Sequence, residues 1–143
     1  LYGGRKDFRE VLDNLLEIVS SPSSILIFVS DFIHLHKGFE QDLKLLGTKF
    51  ETIALMIRDP LEENLPVSDH QIVLQDPYSN RQMLIDPEVA AEEYRRSAER
   101  QKTVVRNLFL SSGIDLLELT TDKSFVMPVV SFLKKRAGGL NRI

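Results

Sequence analysis

Three aspartates that follow predicted β-strands are the residues of this chain best suited to chemistry. Asp31 ends the first predicted strand, Asp59 follows the second, and Asp122 lies just beyond the last. Because ligands in open α/β sheets bind outside the carboxyl ends of the strands, these carboxylates are expected along one edge of the sheet. Oxygen ligands there suit Mg²⁺, which takes one or two carboxylates and keeps several waters. Aspartate is also a common turn residue. We prefer that role for Asp59 and Asp122, while both interpretations of Asp31 stay open.

Two histidines lie close to Asp31 in the sequence. In His34-Leu35-His36 the alternate side chains of an extended segment would point the same way, so a metal-binding pair is conceivable. The next residues, Lys37 and Gly38, are typical of a solvated loop, and no third ligand is evident. Because isolated motif matches are weak evidence, a structural role is the preferred interpretation of this pair.

Composition limits the classes of protein to which the chain can belong. Its 143 residues fit a single domain spanning 1–143, and a net charge of −3 gives no electrostatic reason to expect nucleic acid. The absence of cysteine excludes disulfides and thiolate metal sites within it. Its apolar runs are much shorter than a membrane span and no signal peptide opens it, so we expect a cytoplasmic chain. Because it starts at Leu1 rather than methionine, we expect a longer parent protein, whose anchoring in a membrane elsewhere stays open.

The segment that leads to Asp31 carries the clearest structural signal. Ile25 to Val29 are five consecutive apolar residues, most of them β-branched or aromatic. Such a run predicts a strand buried on both faces, as in a parallel sheet. Ser30 and Asp31 follow it, so the strand delivers two oxygen-bearing side chains to the edge of the sheet.

The rest of the chain alternates between helical and extended patterns. Helices are predicted over residues 5–20, 38–47, 86–112 and 124–135, further strands over 50–57 and 115–120, and a β-hairpin over 71–75 and 82–86. Gly47 is the expected C-cap of the second helix. This order predicts an α/β fold in three layers, with a mostly parallel, Rossmann-like sheet, flanking helices and a small β-hairpin.

Helical spacing also predicts which side chains face the core and which face water. The expected inward positions are Phe39, Leu43, Leu45 and Leu46 in the second helix, and Tyr94, Ala98, Val105, Leu108 and Phe109 in the longest one. The longest helix also interleaves basic residues with acidic ones, namely Arg95, Arg96, Arg100, Lys102 and Arg106 with Glu92, Glu93 and Glu99. We interpret this charged surface as a solvent-facing side held by salt bridges.

Several segments together resemble one protein family. They are Ile-Phe-Val-Ser-Asp-Phe (27–32), Ile-Arg-Asp-Pro-Leu-Glu-Glu-Asn-Leu-Pro (57–66), Leu-Gln-Asp-Pro (74–77), the helix around Tyr94, and Gly-Ile-Asp-Leu-Leu-Glu-Leu-Thr-Thr-Asp (113–122). In this order they resemble the bacterial and archaeal domain-of-unknown-function family fifty-eight, which is encoded beside MoxR-type AAA+ ATPases. The resemblance implies the C-terminal part of a von Willebrand factor A-like domain that is truncated at its N-terminus.

The resemblance also implies a particular kind of metal site. Integrin-type modules of this class hold a divalent cation with an Asp-x-Ser-x-Ser loop, a threonine and a distant aspartate, and a partner's carboxylate completes the coordination. Asp31 matches the distant aspartate, but Lys6 stands where the threonine is expected, and an ammonium cannot bind Mg²⁺. The loop itself would precede Leu1. We therefore expect a vestigial or incomplete metal-ion-dependent adhesion site at Asp31 and no cofactor in this chain, with Mg²⁺ left open for the full-length parent.

The sheet order of such domains has a consequence for the first strand. There the strand at 25–31 pairs with a strand that would precede Leu1. Left uncovered, it would be a long apolar edge that can pair with another chain. Exposing about five core side chains would cost on the order of 7–15 kcal/mol. We therefore expect a homodimer or an exchanged segment to cover strand 25–31.

Two functions from different classes are consistent with these residues. The preferred one is a non-catalytic protein-interaction module. Its partner, implied by the resemblance alone, is a MoxR-type AAA+ ATPase that acts in protein complex assembly or maturation. The alternative is a Mg²⁺-dependent phosphoryl-transfer enzyme with Asp31, Asp59 and Glu62 or Glu63 as metal ligands. The sequence shows no basic phosphate clamp or general base beside these carboxylates, which favours the interaction module.

Overall fold

The structure is a computed structural model that describes residues 8–19, 24–75 and 80–140. Its elements are α1 (Phe8–Ile18), β1 (Ile25–Ser30), α2 (Glu40–Lys49), β2 (Glu51–Arg58), α3 (Pro60–Glu63), β3 (Ile72–Gln75), β4 (Gln82–Ile85), α4 (Pro87–Ser111), β5 (Asp115–Thr120) and α5 (Val126–Leu140). A short 3₁₀ turn, Lys37–Phe39, precedes α2. The predicted start of the first helix, at residues 5–7, lies outside the described residues.

The three longer strands form a parallel sheet, and the two shorter ones form a separate antiparallel pair. The sheet order is β1-β2-β5, with Phe28 opposite Ala54 and Ala54 opposite Leu116. In the antiparallel pair, Ile72 lies opposite Ile85. The prediction of an α/β chain with a parallel sheet, flanking helices and a small hairpin is therefore confirmed for the strands, although residues 76–79 of the predicted turn lie outside the described ranges.

One face of the sheet packs against α1, α2 and α4 and forms the hydrophobic core. Its contributions from the helices include Leu12, Leu43, Leu46, Val105, Leu108 and Phe109, all buried. The Phe109 ring meets that of Phe32 edge-on, with 4.9 Å between centroids. In α4, Tyr94 and Ala98 are predicted to face the core, but both are only half-buried. The prediction that Leu45 of α2 faces the core is wrong, because this residue is 51% exposed.

The opposite face of the sheet is covered in part by α5, which gives the predicted three layers. Ile53 and Leu119 point to this face and are buried. Arg136 of α5 reaches across it to the strand starts, where its guanidinium pairs with Glu51 at 3.0 Å and with Asp115. The last helix runs to Leu140, beyond its predicted end at residue 135. The ion pairs of Arg136 hold this added part of the helix against the sheet.

The expectation that β1 is buried on both faces is wrong for the chain by itself. Leu26 points into the core and is buried, but Ile25, Ile27 and Val29 on the other side are each 58–59% exposed. The physical reason is position: β1 is an edge strand of the described sheet, and α5 packs against β5 at the other edge. A strand with five consecutive apolar residues therefore leaves one side open to solvent.

The prediction that Gly47 caps the second helix is also wrong. α2 continues through Gly47 to Lys49. A Cβ built at Gly47 would lie 2.0 Å from the backbone oxygen of Ser112. Glycine is present because α2 passes very close to the end of α4, and the helix needs no glycine there to turn.

Candidate functional site

The carboxyl ends of β1, β2 and β5 lie side by side, as the sequence predicts for Asp31, Asp59 and Asp122. Asp59 is the N-cap of α3: its Oδ1 accepts a hydrogen bond from the Leu61 amide at 2.9 Å. Its Oδ2 accepts one from the Thr121 hydroxyl at 2.9 Å and so joins the ends of β2 and β5. Both oxygens of Asp59 are therefore engaged in local structure, as the turn interpretation requires.

In the loop after β1, local hydrogen bonds position Asp31, and the next residue, Phe32, has a strained backbone. Asp31 Oδ1 accepts a hydrogen bond from the Ile33 amide at 3.0 Å, and the Ser30 hydroxyl accepts one from the Phe32 amide at 3.1 Å. Phe32 has a φ of 54°, a left-handed conformation that a bulky residue seldom adopts. Its side chain is buried against Phe109, and this packing holds the strained residue in place.

A buried polar chain ties this loop to the end of β2. The Gln101 amide nitrogen donates to the carbonyl oxygens of Phe32 at 2.9 Å and Ile33 at 3.0 Å. The Gln101 side-chain oxygen accepts a hydrogen bond from Arg58 Nη2. Arg58 is only 4% exposed, and its Nε has no acceptor. Sequence reasoning missed both residues because a glutamine on a charged helix and an arginine at a strand end carry no periodic signal.

Glu62 in α3 is the most perturbed acid near Asp31. One of its carboxylate oxygens, Oε2, is buried without a hydrogen-bond partner. Burial, and then repulsion from Asp31, raise the pKa of Glu62. The neighbouring Tyr94 donates its hydroxyl to the Leu61 carbonyl at 2.9 Å, and burial followed by the Glu62 charge raises the pKa of that phenol. The half-buried Tyr94 thus fixes α3 against α4 rather than filling the core.

The metal-ligand candidates do not assemble into a cation site in the structure. Across residues 8–19, 24–75 and 80–140, no group of three or more histidine or acidic residues is placed to hold a metal ion. His36 instead caps the 3₁₀ turn, where its Nδ1 accepts a hydrogen bond from the Gly38 amide at 3.1 Å, and its ring lies 4.6 Å from that of Phe39. Lys6, which the sequence analysis expects in place of the threonine ligand, lies outside the described residues.

The charged surface of α4 divides into two parts. Arg95 and Arg96 pair with Glu92, and Arg100 pairs with Glu93, so the predicted salt-bridged surface is confirmed there. The prediction is wrong for Lys102 and Arg106, which reach other elements. Lys102 pairs with Glu63 of α3 at 2.8 Å, and Arg106 holds Glu118 of β5 through two hydrogen bonds of 2.7 and 3.0 Å. These half-buried pairs fasten α3 and β5 to α4.

Replacing Glu62 with glutamine is expected to stabilise the chain increasingly as the pH rises. A carboxyl whose pKa is raised by folding favours the folded state below its unfolded pKa, and this contribution is lost as the pH rises through the folded pKa. Glutamine stays neutral throughout, so the difference in Tm between Glu62→Gln and wild type should grow from about pH 4 to about pH 7. Thermal melting at several pH values measures it, with Glu17→Gln on the exposed surface of α1 as control. A difference that is constant with pH would contradict this account of Glu62.

Comparison with known proteins identifies the family of the chain. Residues 3–105 match the family described as protein of unknown function DUF58, and the chain belongs to that family. Uncharacterized proteins of Mycobacterium tuberculosis and Mycobacterium bovis are each 29% identical over 116 residues, which cover 79% of this chain and 35% of the relative. An uncharacterized protein of Mycobacterium avium is 27% identical over 116 residues, covering 79% of this chain and 66% of the relative.

Three further findings concern coverage, solved structures and membrane-spanning helices. The match spans about a third of the length of the first two relatives, at 35%. No solved structure is significantly similar to the chain. Among the residues that the structure describes, no helix combines the length and apolarity needed to cross a bilayer.

Proposed function

We propose that the chain is a non-catalytic protein-interaction module, part of a von Willebrand factor A-like domain that takes another polypeptide along β1. The observation that carries the proposal is the open side of β1, where Ile25, Ile27 and Val29 are all more than half exposed. Soluble proteins normally protect an apolar edge strand with charges, proline, a bulge or a covering element. β1 contains neither a charged residue nor a proline, since its sequence is Ile-Leu-Ile-Phe-Val-Ser.

The side chains of β1 give a polypeptide a favourable place to bind. Fully burying an aliphatic side chain of this size contributes about 1.5–3 kcal/mol, so covering the exposed fractions of all three would contribute roughly 3–5 kcal/mol. The outer backbone groups of the strand would add main-chain hydrogen bonds, the usual source of affinity when a strand joins a sheet edge. On the same side of the sheet, α5 exposes further apolar side chains, among them Phe125, Met127 and Leu133.

For this chain the occupant that we propose is a second copy, paired β1 to β1 across a two-fold axis. The strand carries no charge that would repel an identical strand, and a two-fold axis lets both copies bury the same side chains. Exchange of a segment between copies would cover the same edge.

The proposed partner of the parent protein is a MoxR-type AAA+ ATPase, in protein complex assembly or maturation. This part of the proposal is supported by the family resemblance alone, as is Asp31 as one ligand of a metal site completed outside this chain. The cytoplasmic location expected from the sequence stays a prediction. A pull-down with the full-length parent, followed by cross-linking, tests the partner, and recovery of no ATPase above the level seen with an unrelated bait would contradict it.

Metal titration separates the interaction module from the phosphoryl-transfer alternative. We compare the chain with Asp31→Asn and with the control Asp122→Asn. Adding Mg²⁺ or Mn²⁺ is expected to leave the Tm of each protein unchanged and to produce no hydrolysis of a generic phosphodiester. The reason is that Asp31 is the one expected ligand, and a single carboxylate ligand holds Mg²⁺ weakly. Metal-dependent hydrolysis that is lost in Asp31→Asn but kept in Asp122→Asn would establish the enzyme instead.

A further inference from the structure

A cavity of about 250 Å³ lies at the carboxyl end of the sheet, between β2, β5, α4 and the first turn of α5. Arg58 lines it, although this arginine is only 4% exposed. The one hydrogen bond of its guanidinium goes to Gln101, and it forms no direct ion pair with a carboxylate of the described residues. Buried charges in proteins are normally paired, because an unpaired charge loses its hydration without compensation. The Glu62 charge acts on Arg58 from α3 but makes no direct ion pair with it, so the buried guanidinium keeps donor capacity for an anion in the cavity.

Further donors surround the cavity on the side of β5. Thr120 lies directly opposite Arg58 in the parallel register, so the two side chains are neighbours on one face of the sheet. Lys123 and Ser124, in the turn between β5 and α5, line the same space. Within the described ranges, the Lys123 ammonium pairs with no carboxylate. Two cations and two hydroxyls thus converge from separate elements.

The carboxylates that line the cavity are already neutralised. Glu63 pairs with Lys102 at 2.8 Å, and Glu118 accepts two hydrogen bonds from Arg106 at 2.7 and 3.0 Å. Lys102 also lies 3.9 Å from Glu118. With these acids balanced by Lys102 and Arg106, neither Arg58 nor Lys123 is directly paired with a carboxylate that lines the cavity.

The first turn of α5 adds a favourable electrostatic field. The Val129 amide donates to the Phe125 carbonyl at 3.0 Å, which marks the start of this 15-residue helix, and Pro128 of its first turn lines the cavity. Amide groups in a first helical turn lack intrahelical acceptors, and the helix dipole there favours negative charge. The helix therefore supports the same kind of ligand as the buried arginine.

We propose that this cavity is a binding site for an oxyanion with the chemistry of a phosphate group. Arg58 and Lys123 would neutralise its charge, and the hydroxyls of Thr120 and Ser124 would donate to its remaining oxygens. Donors that converge from several directions suit a tetrahedral phosphate better than a planar carboxylate. The cavity is smaller than the roughly 300–1,000 Å³ of sites for drug-sized ligands, which favours a compact anion. This site is independent of the β1 edge and of the interaction proposed for it.

Titration of inorganic phosphate into the chain tests the proposal, with calorimetry and thermal melting as readouts and chloride at equal ionic strength as control. We expect saturable binding and a rise in Tm that chloride does not give. Arg58→Met should bind phosphate at least tenfold more weakly. Without phosphate, its Tm should differ little from that of wild type, because the lost hydrogen bond to Gln101 and the removal of a buried charge offset each other. A purely structural arginine would instead lower the Tm in every buffer when replaced.

A second variant keeps the test decisive if Arg58→Met fails to fold. Lys123 and Ser124 are exposed, so Lys123→Gln combined with Ser124→Ala should fold normally and bind phosphate roughly tenfold more weakly. Lys134→Gln removes the same charge from an exposed site further along α5 and should keep the wild-type affinity. A rise in Tm no larger than with chloride, or an affinity unchanged by the cavity variants, would overturn the proposal. An equal response to acetate would assign the cavity to carboxylates and overturn the assignment to phosphate.

Discussion

Replacing Ile27 with glutamate is expected to abolish self-association of the chain without unfolding it. Ile27 is 59% exposed in the single chain, so the new carboxylate can remain in water. In a symmetric dimer paired through β1, both copies would bury that carboxylate against an apolar strand, and the cost would count twice. At about 2 kcal/mol for each copy, the dissociation constant of the dimer would rise roughly a thousandfold.

Sedimentation velocity over a range of protein concentrations measures this effect. Val67→Glu is the matched control, because Val67 is fully exposed in the segment between α3 and β3 and the same charge is added. We expect Val67→Glu to associate like wild type, and circular dichroism to show all three chains folded. Equal association of Ile27→Glu and wild type would show that β1 is not the contact between copies.

Replacing Gly47 with alanine is expected to destabilise the fold strongly, because the added methyl group has no room. The new Cβ would lie 2.0 Å from the Ser112 carbonyl oxygen and 3.2 Å from Cγ1 of Ile114. The first of these is a backbone atom at the end of α4, so α2 and α4 must move apart. Overpacking of this kind costs about 3 kcal/mol, which lowers the Tm of a chain of this length by roughly 10 °C.

Gly138→Ala provides the control, because Gly138 lies inside α5 and nothing approaches its added Cβ within 4 Å. There alanine has the better helix propensity and less freedom in the unfolded chain, so the variant should gain about 0.5–1 kcal/mol. Thermal and urea unfolding of both variants compares them directly. A Gly47→Ala variant as stable as Gly138→Ala would show that α2 and the end of α4 do not approach each other closely at Gly47.

The strands and the longest helix could be predicted because their signals are local. The apolar run of β1 and the Asp86-Pro87 start of α4 lie within a few residues, and both are found where the sequence places them. Gly47 illustrates the limit. Whether a glycine ends a helix or allows a close approach depends on a contact with Ser112, which is remote in sequence, and a short pattern carries no trace of it.

The candidate site shows the same division between local and remote causes. The strand-end positions of Asp31 and Asp59 could be predicted, since parallel strands deliver their following residues to one edge of the sheet. The bond between Arg58 and Gln101 could not, because Gln101 occupies a polar helical position that is typical of a solvated surface. The exposure of one side of β1 could not be predicted either. The composition of the strand indicates burial, and only its place in the sheet decides what covers it.

Hydrogen exchange at the amides of Ile25–Ser30 that do not bond to β2 tests the central claim most directly. If β1 takes a polypeptide along its edge, these amides should exchange slowly in the assembled protein, and their protection should grow with protein concentration. The amides of the segment at 65–69, for which the structure shows no acceptor, report on unprotected backbone in the same sample. Exchange of the β1 edge as fast as that segment, independent of concentration, would contradict the claim.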